Sequence, residues 1–143
     1  MKTHAAIAIC LASAAIAGCS STEDYVDDVN DIQTEVIEAS NSVGADANAS
    51  KNEILDSLQA AQAEAEDAVA ELEDIDAPSD AEEGHDALVK GFEELEKLYA
   101  DVRKGIESQS GSGAFDELRT EGAEIDKEID KALDQINDGL GLK

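Results

Sequence analysis

The sequence predicts an all-α protein in which four amphipathic helices fold back on one another as an antiparallel bundle. Three observations carry this reading. Through most of the chain apolar residues recur at alternating spacings of four and three, the period of a helical face rather than of a strand. Breaker clusters divide the pattern: a stretch around Gly44, the Asp76-Ala77-Pro78 run, and the Ser108 to Gly113 linker SQSGSG. Finally, isolated helices of this length are marginal in water, so each apolar stripe must be covered by its neighbours.

The first stripe is Tyr25, Val29, Ile32, Val36, Ala39 and Val43, with acids between. Ser21 with Asp24, or Ser20 with Glu23, can cap its start. The second is Ile54, Leu58, Ala61, Ala65, Ala68, Leu72 and Ile75, opened by a Ser50/Glu53 capping box and closed ahead of Pro78. The third runs Ala81, His85, Leu88, Phe92, Leu95, Tyr99, Val102 and Ile106, with Ser79 and Glu82 as its cap. The fourth is Phe115, Leu118, Gly122, Ile125, Ile129, Leu133, Ile136 and Leu140, terminated by Gly139 and Gly141. Ala47 and Ser50 keep heptad spacing between the first two stripes. The alternative architecture is therefore an elongated bundle with one long helix from Thr22 to Ile75.

The N-terminus differs from all of this. Lys2 is its only fixed charge, and Ala5 to Ala17 is a 13-residue uncharged run. That is the layout of a signal peptide, and it is too short for the roughly 20 apolar residues of a membrane span. The run closes on Ile16-Ala17-Gly18-Cys19, which resembles the lipobox of bacterial lipoprotein precursors over all four positions. The resemblance implies cleavage before Cys19 and acylation of its sulfur, a nucleophile suited to alkylation. Residues 1–18 are thus expected to be a lipoprotein signal peptide, 19–21 a lipidated tether and 22–143 an acidic helical domain. Cys10 leaves with the leader, so the mature chain has no intramolecular disulfide and no thiolate metal site. Ser20 follows the cysteine in place of an aspartate that would suggest inner-membrane retention in a diderm cell.

From Cys19 onward the chain carries 35 acids and 9 bases in 125 residues, a net charge of −26. It holds no basic patch to neutralise phosphates, so nucleic acid is not expected as a partner. An anionic headgroup surface repels it as well, so the expected membrane partner acts through the acylated Cys19 alone. A protein of the envelope or a cationic partner, and weak diffuse association of divalent cations, fit the charge.

His85 falls on an apolar stripe, and a hydrogen-bonded core or boundary histidine is the expectation. Glu82, Glu83 and Asp86 are the neighbours that would let it join a cation site. The Glu82-x-x-His85 element occurs once, whereas di-metal bundles use it twice with further inward glutamates. No serine sits beside a histidine, no phosphate loop follows a strand, and no run matches a calcium loop. No catalytic residue, cofactor-binding residue or metal ligand is assigned; the one site is lipidation at Cys19. Lys143 ends the chain as the terminal lysine of the murein lipoprotein does, but the longer chain and interrupted stripes depart from that pattern.

The arrangement resembles small secreted actinobacterial lipoproteins of unknown function. The landmarks are Tyr25 to Asn30 (Tyr-Val-Asp-Asp-Val-Asn) after the lipobox, the inter-helical Pro78, and His85 seven residues later. Most of those relatives carry Pro-Pro where this chain has Ala77-Pro78. The resemblance implies export, a helical fold and a lipid-anchored location facing outward from the cell membrane, or from an outer membrane in a diderm cell. It brings no activity, and the expectation is a non-catalytic interaction or structural module. A cation or small-ligand binding lipoprotein is the alternative, and an envelope enzyme a more distant one.

Overall fold

Residues 20–43, 48–108 and 111–142 are described by the structure, a computed structural model. They form an all-helical four-helix bundle: α1 Ser20–Ser42, α2 Lys51–Glu73, α3 Glu82–Glu107 and α4 Gly111–Gly139. The heptad spacing across residues 43 to 50 does not fuse α1 and α2, because Ser50 caps a new helix. Its Oγ accepts from the Glu53 amide at 3.3 Å while its own amide donates to Glu53 Oε2 at 2.7 Å. These reciprocal bonds satisfy donors that a helix start leaves orphaned.

Two other boundaries differ from the sequence reading. α3 begins at Glu82 with Ala81 as its cap residue and no side-chain cap bond, so Ser79 does not cap it. A turn with the Ala81 amide on the Pro78 carbonyl at 2.8 Å enters the helix instead, and burial of Ala81 fixes the approach. α4 begins at Gly111, so half of the expected linker is helical. The far end closes as foreseen. Gly141 takes φ 69°, and the Leu142 and Gly141 amides return to Asn137 and Asp138 at 2.8 and 3.2 Å. That is the Schellman pattern, which favours glycine at the left-handed position.

Contacts along the helices set their directions. Gln62 Nε2 reaches Glu96 Oε1 at 3.1 Å and Lys51 Nζ reaches the Glu107 carbonyl at 3.3 Å, so α2 and α3 are antiparallel. Gly84 lies on Ile136, Gly91 on Ile129 and Gly105 on Ala114, so α3 and α4 are antiparallel too. Tyr25 pairs with His85 and Ser40 with Tyr99, which makes α1 parallel to α3. α3 is therefore the central helix, packed on α2 and α4. α1 lies against α2 and meets α3 through side chains; among the described residues its backbone makes no close approach to α4.

The interior follows the stripes. All eight predicted α3 positions are buried, as are Tyr25, Val29, Ile32 and Val36 of α1 and Leu58, Ala61, Ala65, Ala68 and Leu72 of α2. On α4, Ile125, Ile129, Leu133 and Ile136 are buried, but Phe115 is 37% exposed. Ala114 takes the inward place beside Gly105 instead, because the closeness of the two backbones there leaves room for a methyl group and not for a ring.

Candidate functional site

His85 is the one buried polar or charged residue among those described, at 6% exposure. Its carboxylate neighbours in sequence do not hold it. Nε2 lies 3.1 Å from the Leu72 carbonyl and Nδ1 lies 3.2 Å from the Tyr25 hydroxyl. A carbonyl only accepts, so Nε2 carries the hydrogen, and in the neutral ring Nδ1 accepts from Tyr25. The Leu72 carbonyl, in the last turn of α2, also accepts from the Ile75 amide at 3.1 Å, so its second lone pair is the one that meets the ring. The Tyr25 ring lies tilted against the imidazole, with centroids 5.8 Å apart. Burial pushes the Tyr25 hydroxyl up to about 12, which keeps it a neutral donor. Three helices are thereby clasped at the end of the bundle where the chain enters. Tyr25 was not anticipated as the partner of His85. The signal lay in the topology: each is near the start of its stripe, and first and third helices of an up-and-down bundle run parallel.

Beside this clasp, the turn between α2 and α3 opens a cleft of about 970 Å³. Glu73, Asp74, Asp76, Glu82, Asp86 and Glu93 line it together with His85 and Lys90. Glu82 and Asp86 thus reach the cleft rather than the ring. Lys90 is tied to Glu94 at 3.4 Å on the exposed surface. Among the described residues no group of three or more His, Cys, Asp or Glu is placed to hold a metal ion. The cleft can attract a cation or a basic group through its summed field; it offers no preformed ligand set.

The same sign of charge crowds the α1–α2 face. Residues 22–43 hold seven acids and no base, and residues 50–76 hold nine acids and one lysine. All four ion pairs among the described residues belong to α3 and α4: Lys90–Glu94, Lys97–Asp101, Lys104–Asp101 and Arg119–Asp116. The Glu64 carboxyl is held above its ordinary range by partial burial, then by Glu35 across on α1 and by Asp67 and Glu71 on its own helix. On α4, Asp126 is raised by desolvation and by Asp130.

A pH dependence follows. A carboxyl raised in the folded state destabilises the fold at neutral pH, and the penalty is relieved as pH falls through the raised value toward the ordinary one. Glu53 and Asp101 act oppositely: hydrogen bonds from Ser50 and from Lys104 and Lys97 lower them, so their contribution is lost only at more acid pH. The domain is therefore expected to melt higher near pH 5 than at neutral pH. Sodium chloride at a few hundred millimolar should give a similar gain at neutral pH by screening. Glu64→Gln should raise the neutral-pH melting temperature by about 1 °C and shrink both gains. Melts indifferent to both salt and pH would refute the crowding.

Cys19, residues 1–18 expected as a leader, and Lys143 lie outside the described residues, as does Gly44 between α1 and α2. Among the described residues no helix is long and apolar enough to cross a membrane. No family model, no curated protein and no solved structure matches the chain. The family resemblance therefore rests on the residues quoted for it.

Proposed function

We propose that this chain is a lipid-anchored envelope protein, acylated at Cys19, whose acidic bundle faces outward as a non-catalytic interaction or structural module. The observation that carries the proposal is Ile16-Ala17-Gly18-Cys19 at the end of a charge-free run. α1 begins at Ser20, immediately after that cysteine, so the bundle would stand next to the acyl chains with almost no spacer. A thioether-linked diacylglycerol and an acylated amine supply several chains, enough for stable attachment. The net charge then keeps the protein off the anionic headgroups and favours partners with basic surfaces.

Cell fractionation with intact-mass measurement tests the anchor. Wild type is expected in the membrane pool, cleaved before Cys19 and heavier by the lipid; Cys19→Ala in processed form should not be retained as firmly. A wild-type chain without any lipid increment would end the proposal.

The acidic cleft favours a second reading, a binding protein for a cation or a small cationic ligand. Calorimetric titration with calcium and with a polyamine separates the two. The module reading expects weak, salt-sensitive, non-saturating heats, whereas saturable micromolar binding lost in Glu82→Gln/Asp86→Asn establishes the ligand site.

A further inference from the structure

We propose that Asn48 is an acceptor for an asparagine-linked glycan, added outside the cytoplasm before α2 closes on its cap. The inference rests on the export reading above.

Asn48-Ala49-Ser50 is an acceptor triplet with a middle residue other than proline. The chain has four other asparagines, Asn30, Asn41, Asn52 and Asn137, and none has a hydroxyl residue two positions on. All four lie within helices, whereas Asn48 is exposed in the connection between α1 and α2. The asparagine outside helical structure is thus also the one with the required hydroxyl. Ser50 has extended backbone, φ −68° and ψ 161°, so the triplet lies ahead of the first helical turn.

The folded state constrains the timing. The Ser50 hydroxyl is engaged by the Glu53 amide, and a transferase that reads this hydroxyl must do so before the capping box forms. Export in an unfolded state supplies that interval. In the step itself, the Asn48 amide nitrogen attacks the anomeric carbon of a lipid-phosphate-linked oligosaccharide. The new C–N bond forms as the bond from that carbon to the phosphate oxygen breaks. The bonding pair leaves with the lipid phosphate, and the amide proton passes to a base on the transferase. Nothing is oxidised or reduced. The sugar then stands at the end of the bundle marked by Lys51 and Glu107, opposite the Tyr25–His85 clasp and the anchored end.

The test is peptide and intact mass spectrometry on the full chain isolated from its own cell, wild type beside Asn48→Gln, Ser50→Asp and Ser50→Thr. Aspartate keeps an N-cap while destroying the triplet, and threonine keeps both. A glycan increment on the Asn48 peptide is expected in wild type and Ser50→Thr, and complete loss in the other two, with the Ser50→Asp melt close to wild type. An exported, acylated chain with bare Asn48 overturns this proposal and leaves the export reading standing. An increment that survives Asn48→Gln overturns it as well. A chain that is neither processed nor acylated overturns both readings together.

Discussion

Leu95→Ala and Ile129→Ala are each expected to destabilise the domain by about 2 to 5 kcal/mol, and toward the upper half of that range. The cost combines lost transfer energy with whatever cavity the neighbours fail to fill. Relaxation is limited here for reasons visible in the packing. Leu95 sits on the α3 row between Leu88 and Val102, both fully buried. The inward face of α2 supplies Ala61, Ala65 and Ala68, side chains too short to swing into a hole. Ile129 lies directly over Gly91, which has no side chain to move at all. Total stabilities of domains run to only about 5 to 15 kcal/mol, so either change removes a large share. Urea melts of residues 20–143 read the loss as a fall in the midpoint at unchanged slope. A cost below about 1 kcal/mol at both positions would show that these rows do not form the core.

How much of this was legible follows from what each signal measures. Heptad spacing reports which side of a helix is apolar, and so it found one buried row of α3 and most of the other three stripes, but not the second row of Gly84, Gly91 and Leu98 that faces α4. The Ser50/Glu53 box is a local chemical device, and it too was readable. Burial at helix ends depends on neighbouring chain, which spacing does not contain. Phe115 keeps heptad register yet stands half in solvent, and Ser79 is spaced to cap α3 but does not. The partners of His85 were obscured for another reason: the acids beside it in sequence drew attention, while its bonds run to Tyr25 and Leu72, 60 and 13 residues away. The anchor proposed at Cys19 rests on the sequence alone, because Cys19 lies outside the described residues.

The glycines of α3 were the feature most open to misreading, since a helical glycine looks like a weakness worth about 1 kcal/mol against alanine. Gly84, Gly91 and Gly105 share one heptad row, with Leu98 between them, and they are where α4 comes closest. Gly84→Ala is therefore expected to destabilise by about 2 kcal/mol or more despite the gain in helix propensity. Its new methyl would sit 2.7 Å from the Ile136 amide nitrogen and 2.9 Å from the Ala132 carbonyl oxygen. Both are backbone atoms, so α4 itself must move. Gly139→Ala meets the Asp80 carbonyl in the same way. Gly91→Ala meets the Ile129 side chain instead, at 2.7 Å from Cγ1, and removing that side chain makes room. In the Ile129→Ala background the added methyl fills part of the cavity, so the two changes should couple favourably by about 1 kcal/mol. Gly122→Ala is the control: its methyl would lie 3.7 Å from Leu98 Cδ2, an ordinary contact. There the propensity gain stands nearly alone, and stability should rise by about 0.5 to 1 kcal/mol. Chemical melts of the four single variants and the double variant give the order directly. The decisive comparison is Gly84→Ala against Gly122→Ala, because the substitution is identical and only the neighbours differ. Equal stabilisation of both would mean that α4 does not lie on the glycine row.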